Sequence, residues 1–405
     1  MTINFDKMFT FSQPGRRVFG FGTISRVGKE ARSLAGGPRA QVITDSKLME
    51  LGLVEPVIEA LKAAGLETEV WAGVAGEPTQ GLIEECRKDI ENFAPDVFVG
   101  FGGGSSIDVA KIVAGLMTNP KDLHDYFMKD LGVGRFENPS KPLLAVPTTA
   151  GTGAENTWLA ITSLDDVEGK VGFADPKIIP PRALVDPGLT MALPPGITAS
   201  TGIDALTHIL EPYLNANTNP FTEALALQAV RIVPVFLPRA FKDGKEKEAR
   251  FQMMMQATLG GLTLNYGGVS EGHLIGQMVG GRYHIPHGVS QGIALPYCLR
   301  YSLDIFPEGL ANLANWWGID ISGLDIKEAG LELIKASVDL LKELGMPWNL
   351  RQIEGVNRDD LPEMASAIAT QPYFITTAAS CCRKINTEKD YLWILERMYE
   401  GNFLD

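Results

Sequence analysis

Cysteine is scarce in this chain of 405 residues: Cys86, Cys298, Cys381 and Cys382 are all of it. No pair has the CxxC spacing of a redox or zinc motif, and adjacent Cys381 and Cys382 are poorly placed to bridge each other. A disulfide framework is therefore excluded, and a reduced, cytoplasmic protein is the expectation. Clustered positive charge is also missing. The formal net charge is −13, and pairs such as Arg16-Arg17 are too short to form a phosphate-binding surface, which excludes a nucleic-acid partner. The acidity reads as colloidal solubility. No apolar run approaches the length of a bilayer span. The N-terminal MTINFDKMFTFSQPGRR lacks the basic and apolar regions of a signal peptide, so no membrane association is expected. No internal repeat or low-complexity tract interrupts the chain.

Composition does allow a large core. Hydrophobic residues make up 45% of the chain and charged residues 21%, as in a soluble globular protein long enough for two domains. The first part alternates strand-like and helix-like segments. Strand patterns cover 40–45, 67–73 and 96–104, with a further strand running into a loop over 142–153. Helical spacing covers 55–64, 81–92 and 105–117. Strands alternating with helices imply βαβ units and a mostly parallel sheet. A hairpin signal follows at 161–173. Beyond Pro187, Pro194 and Pro195 the chain turns helical, with periodic segments at 201–213, 222–236, 248–264 and 326–344. The expected organisation is an α/β domain over 1–185 followed by an all-α domain over 186–405.

FGGGSSIDVAK, from Phe101 to Lys111, follows a buried strand and opens a helix. Ser105 and Asp108 fit an S-x-x-D capping box. The glycines let backbone approach a ligand closely, and the helix N-terminus offers free N–H groups and the positive end of a dipole, which suits a diphosphate. The alternative is a tight strand–helix turn. PTTAGTGAE, from Pro147 to Glu155, repeats the small-residue theme after another strand, and ligands in open α/β sheets sit at the carboxyl ends of strands. Asp45 ends the strand at 40–45. It is placed to accept hydrogen bonds from a ribose diol and to repel a 2′-phosphate, favouring NAD over NADP; its other reading is a helix N-cap.

Histidine is as unevenly distributed as it is rare. Of five, His273, His284 and His287 lie in EGHLIGQMVGGRYHIPHG, His208 closes GIDALTH, and only His124 stands apart, read as a surface or packing residue. Asp204 and His208 are four apart on an apolar helix, so their side chains share one face. They could satisfy each other as a structural pair. His273 lies in a helical pattern over 271–279 that Gly280-Gly281 should end, and Pro286 suits the first turn of a new helix beside His287. A helix end and the next helix start can converge. Three imidazoles and one carboxylate form an N/O donor set for Fe²⁺, Zn²⁺, Mn²⁺ or Co²⁺, with room for a substrate oxygen.

These motifs together resemble the iron-containing (group III) alcohol dehydrogenase family. The resemblance rests on GGGSSIDVAK (102–111), PTTAGTGAE (147–155), DPGLT (186–190), GIDALTH (202–208) and the PHG (286–288) that follows His273, and it spans most of the chain. It implies a Rossmann-like dinucleotide-binding domain ahead of the helical one, the architecture shared with dehydroquinate synthase. It implies Asp204, His208, His273 and His287 as metal ligands, with Fe²⁺ or else Zn²⁺ bound. Gly102, Gly103, Gly104 and Ser105 become the pyrophosphate cradle, with Asp108 close by. Thr148 and Thr149 become cofactor contacts, Lys170 and Leu189 nucleotide-lining positions, and Asp45 the ribose acid. The implied reaction is hydride transfer between a small alcohol and C4 of a nicotinamide, yielding an aldehyde or ketone, in a homodimer or larger homo-oligomer.

Two departures matter. Ala154 replaces the serine of the usual AGTGSE, removing one hydroxyl from the loop. Gln277 stands where many members carry a histidine, and an amide can hydrogen-bond but cannot exchange protons near neutral pH. His284 is then the only nearby imidazole outside the implied metal set, a candidate proton carrier whose other reading is a packing residue. Arg282 beside it invites an aldehyde with a carboxylate or sulfonate tail, unless it faces solvent. A dehydroquinate synthase-like enzyme would need more basic pocket residues than these motifs show. A glycerol dehydrogenase-like enzyme would use fewer metal ligands, and a non-catalytic module would not need both cofactor and metal motifs.

Overall fold

The computed structural model describes residues 15–126, 135–165, 170–384 and 386–404. The chain divides into two compact units, one running to Ala192 and the other beginning at Leu193.

The first unit holds the strands β1 (Arg16–Phe19), β2 (Arg39–Asp45), β3 (Glu67–Val74), β4 (Val97–Gly102), β5 (Leu143–Pro147), β6 (Leu159–Thr162), β7 (Val171–Ala174) and β8 (Arg182–Val185). Its helices are α1 (Val27–Leu34), α2 (Ser46–Glu50), α3 (Glu55–Ala63), α4 (Gln80–Ile90) and α5 (Gly104–Leu116). Six strands form one parallel sheet in the order β1-β8-β5-β4-β2-β3. Side chains alternate across it, as strand geometry requires. Val42, Val99, Phe101 and Leu144 join Val27, Ala31, Val57 and Leu61 of α1 and α3 in one buried cluster. On the opposite face Gly100 lies against Ala110 and Ile107 of α5. Both faces are thus covered, which is why the central strands read as continuous apolar runs. From β2 the chain steps outward to β3 and then returns to the other side of β2 as β4. The carboxyl ends of β2 and β4 therefore flank the reversal point where open α/β sheets place ligands. The hairpin read at 161–173 is present as antiparallel β6 and β7; its tip, 166–169, lies outside the described residues.

The second unit is helical: α6 (Pro195–Leu214), α7 (Pro220–Ala229), α8 (Val233–Lys242), α9 (Lys247–Gly267), α10 (Glu271–Arg282) and α11 (His287–Leu303). Then come α12 (Pro307–Trp317), α13 (Ile326–Glu343), α14 (Leu361–Thr370), α15 (Pro372–Cys381) and α16 (Glu388–Glu400). The single helical pattern expected over 222–236 is two helices, bent by 43° at their junction. Pro234, at the start of α8, cannot continue the hydrogen-bond ladder of α7. Among the described residues no single helix is long and apolar enough to cross a membrane.

Three helices meet through missing side chains. On α10, Gly272, Gly276 and Gly280 recur every fourth residue and form one face. A Cβ on Gly272 would lie 2.5 Å from Glu211 Oε1, one on Gly276 would lie 2.6 Å from Gln291 Nε2, and one on Gly280 would lie 2.9 Å from Ser290 Oγ. A Cβ on Gly288, at the start of α11, would overlap the Ser200 carbonyl of α6. These glycines bring α6, α10 and α11 close enough for short polar contacts between them.

Candidate metal centre and nucleotide turn

Asp204 and His208 project from one face of α6, His273 from α10, and His287 from the first turn of α11. The structure brings all four together: one donor atom from each lies within 4.8 Å of every other. Asp204 Oδ1 lies 3.6 Å from His208 Nε2 and 3.4 Å from His287 Nε2. The His273 ring sits between those of His208 and His287, with centroids 5.0 and 5.6 Å away. Asp204, His208 and His273 are buried, whereas the His287 side chain keeps 24% of its exposure. Asp204 Oδ1 and His273 Nε2 have no hydrogen-bond partner among the described residues. Buried polar atoms are ordinarily satisfied. Two that converge without partners, in a set of imidazoles and a carboxylate, fit a divalent metal ion.

A residue missed by the sequence reading completes this fit. Glu211, buried on α6, accepts from His273 Nδ1 at 2.8 Å through Oε1. Its Oε2 accepts from Ser270 N, Ser270 Oγ and His273 N at 2.7, 3.1 and 3.2 Å. Burial alone would push the Glu211 carboxyl up. The charge and hydrogen bond of His273, with the backbone donors, reverse this and hold it below the ordinary glutamate value. Glu211 therefore keeps a proton on Nδ1 and leaves Nε2 of His273 facing the cluster, the usual carboxylate support for a ligating histidine. The signal was available: 204, 208 and 211 follow the spacing of one helical face.

The remaining candidates near this cluster differ in their surroundings. Gln277 is buried one turn after His273, and its Oε1 has no hydrogen-bond partner among the described residues. His284 is exposed and has φ +53°. Tyr283 N bonds to Val279 O, and Ile285 N bonds back to Gly280 O, the Schellman pattern with His284 at the left-handed position. His284 ends α10, so Gly280-Gly281 do not; both lie inside the helix. Arg282 contacts Glu363 at 2.6 Å and Asp360 at 3.5 Å, so its charge is already matched by carboxylates. His124 lies in the first unit, 2.9 Å from Gln80 Oε1.

The glycine turn of the first unit opens at the end of β4. Gly102 has φ +152° and Gly103 is the N-cap of α5. No side chain caps this helix, which corrects the expected Ser105–Asp108 capping box. Ser105 already sits inside the first turn, and the Asp108 carboxylate turns away. It accepts from Ile161 N at 3.0 Å and lies 3.5 Å from buried Lys111 Nζ. The N-terminal amides of α5 are left for another acceptor. A Cβ on Gly104 would lie 2.6 Å from Thr152, and one on Gly103 3.5 Å from Thr149. Thr148 N donates to Gly102 O at 2.9 Å. The two loops thus meet with glycine backbone on one side and threonines on the other. Thr152, not singled out from sequence, also accepts from Ala154 N at 3.2 Å through its hydroxyl.

Asp45 is a helix N-cap, the second of its two readings. Oδ1 accepts from Leu48 N at 2.9 Å and caps α2. Oδ2 lies 3.4 Å from where a Cβ on Gly102 would stand, at the edge of the turn. An uncapped helix start, glycines that a Cβ would crowd and a carboxylate at the neighbouring strand end fit a dinucleotide. Lys170 is buried and pairs with Glu77. Leu189 is half-buried against the core beneath the sheet.

Comparisons with known proteins agree with this geometry. The family profile described as iron-containing alcohol dehydrogenase matches residues 14–187, and its C-terminal counterpart matches 198–384. The sulfoacetaldehyde reductase of Bilophila wadsworthia is 34% identical over 86% of this chain and 89% of its own. The NAD-dependent methanol dehydrogenase of Bacillus methanolicus is 33% identical over 88% of this chain and 92% of its own. A crystal structure of 1,3-propanediol oxidoreductase superposes with a TM-score of 0.90 at 32% identity, covering 97% of this chain and 100% of that one. With both of its units matched, this chain belongs to the iron-containing alcohol dehydrogenase family, oxidoreductases that interconvert alcohols and carbonyl compounds.

Proposed function

We propose that the protein is an iron- and NAD-dependent dehydrogenase of small, uncharged alcohols. The first unit would carry the nucleotide, and Asp204, His208, His273 and His287 the iron. The observation behind this reading is the four-donor cluster with Glu211 supporting His273. When bound, iron supplies Lewis acidity to the alcohol or carbonyl oxygen and NAD takes up or returns the hydride. The chain's own residues do the rest. Asp204 contributes the negative charge of the donor set. Glu211 fixes the ring of His273. Gly102 to Ser105 and the start of α5 receive the diphosphate, with Thr148, Thr149 and Thr152 opposite. Gln277, buried with its Oε1 without a hydrogen-bond partner among the described residues, would hydrogen-bond and orient the substrate hydroxyl, but its amide holds no exchangeable proton near neutral pH.

Matched charge at Arg282 favours an uncharged substrate over an aldehyde with an anionic tail. The test is a panel of primary alcohols, diols, simple aldehydes and sulfonated or carboxylated aldehydes, assayed after anaerobic loading with Fe²⁺ or Zn²⁺. Uncharged substrates should give the higher kcat/KM, and a chelator should remove the activity. Preference for a sulfonated aldehyde would overturn the substrate assignment, and chelator-resistant turnover would overturn the metal assignment. A homodimer or larger homo-oligomer in the cytoplasm is the expected setting, which light scattering and cell fractionation check.

Asp45 is proposed to set the nucleotide preference. Asp45→Ser keeps an N-cap hydroxyl for α2 while removing the charge that opposes a 2′-phosphate. The ratio of kcat/KM for NADP over NAD should rise by about tenfold or more, roughly 1.4 kcal/mol of relieved repulsion. A wild-type protein that already uses NADP as well as NAD would defeat the assignment.

A further inference from the structure

His273 has Glu211 to fix its ring, and His287 has a different neighbour. Gln291 follows it by one turn on α11 and is buried, with 1% of its surface exposed. Its Nε2 lies 3.5 Å from His287 Nδ1, while its Oε1 has no hydrogen-bond partner among the described residues. In that orientation the amide donates and Nδ1 accepts, which puts the ring proton on Nε2. Nε2 is the atom 3.4 Å from Asp204 Oδ1, and a protonated Nε2 cannot bind a metal. Turning the amide by half a rotation exchanges the two atoms. Oε1 then accepts from Nδ1–H, the ring nitrogen facing Asp204 is freed, and the buried oxygen gains a partner.

The surroundings permit both orientations. A Cβ on Gly276 would lie 2.6 Å from Nε2 and 2.7 Å from both Cδ and Oε1. Gly276 thus clears one slot for the whole amide, and neither orientation is the more crowded on that side. The slot also explains why the glycine stripe of α10 extends past Glu211 to a second amide-sized gap.

We propose that Gln291 is a positioning residue for His287: its amide oxygen accepts the Nδ1 proton and directs Nε2 toward the metal. The inference rests on the metal assignment given above and concerns which atom of Gln291 meets the ring. Supporting groups of this kind typically change metal affinity by about 10- to 100-fold.

The experiment measures Fe²⁺ and Co²⁺ affinity of the full-length protein by competition with a chelator, without reference to turnover. Gln291→Met, nearly the same shape, should weaken binding by about 10- to 100-fold, with Gln291→Leu as a second apolar variant if the first does not fold. Gln291→Glu supplies only acceptor oxygens and should bind within about threefold of wild type or more tightly. In a His287→Ala background, Gln291→Met should change affinity less than about threefold, because the effect passes through His287. Wild-type affinity in Gln291→Met, an equal loss in Gln291→Glu, or an undiminished loss without His287 would each overturn the proposal. Failure of the wild-type protein to bind either metal would instead overturn the metal assignment itself.

Discussion

His273→Ala is expected to lower kcat/KM for alcohol oxidation by about a thousandfold or more, roughly 4 kcal/mol of lost transition-state stabilisation. Its ring lies between those of His208 and His287, and its Nε2 is buried without a hydrogen-bond partner among the described residues. Gln277, one turn further along α10, offers only an amide in its place. Metal analysis should show the variant largely empty, while NAD affinity, measured by fluorescence titration, should stay within about twofold of wild type. The variant also strips Glu211 of the ring it bonds at 2.8 Å. The loss leaves one buried oxygen, Oε1, without its donor while Oε2 keeps Ser270 N, Ser270 Oγ and the residue 273 backbone N–H, at about 1–3 kcal/mol, so thermal stability should fall as well. Metal retained at wild-type occupancy with near-normal kcat/KM would show that His273 is not a ligand.

The same centre shows which parts of a site a sequence can display. Asp204 and His208 are legible because four-residue spacing on a helix fixes a common face. His273 and His287 are harder to place, since the chain between them must end one helix and start the next. Gly280-Gly281 look like the stop signal, yet both are inside α10, where Gly280 faces Ser290. The stop is His284 in the left-handed region, a position that histidine enters more readily than most residues. Its apparent place in a histidine cluster therefore has a backbone explanation. Glu211 shares the helical face of Asp204 and His208, but spacing alone does not separate a buried carboxylate that supports a ligand from one that faces solvent. Its burial comes from Gly272 on another helix, a relation that no local pattern carries.

In the first unit the long central strands are plain in the sequence and the four-residue strands are not. β2, β4 and β5 are buried on both faces and read as apolar runs. β1 and β8 have four residues each, too few for a period to emerge. The glycine turn shows the opposite failure, a motif read too literally. Ser105 and Asp108 have the spacing of a capping box, but α5 begins at Gly104. A helix that starts two residues earlier than such a box requires places Asp108 against Lys111 and Ile161 and leaves the helix amides without a side-chain cap. For a diphosphate-binding turn this is the more useful arrangement, because a capping carboxylate would occupy the place of the anion.

Glu211→Gln should weaken metal binding by about 10- to 100-fold even though Glu211 is not itself in the donor set. Every group around its carboxylate is a donor: His273 Nδ1, His273 N, Ser270 N and Ser270 Oγ. An amide supplies one acceptor oxygen and one NH₂. If the oxygen stays with the ring, the NH₂ faces the three donors at Ser270 and His273 N. If it turns to them, the NH₂ faces Nδ1 and favours the tautomer with its proton on Nε2. Each orientation leaves buried donors opposed, at about 1–3 kcal/mol of stability per unsatisfied group. The pH dependence separates this from a general packing defect. Because the folded protein holds the Glu211 carboxyl below its ordinary value of 4.5, its stabilisation is present above that pH. It is lost as the pH falls through the folded-state value. Glutamine has no such proton to take up. With chelator present, the stability of wild type should therefore drop more steeply than that of Glu211→Gln as the pH is lowered below about 4.5. The two curves should converge in acid. Parallel curves, offset by a constant amount down to the lowest pH at which the protein folds, would show that Glu211 acts through shape and not through its charge.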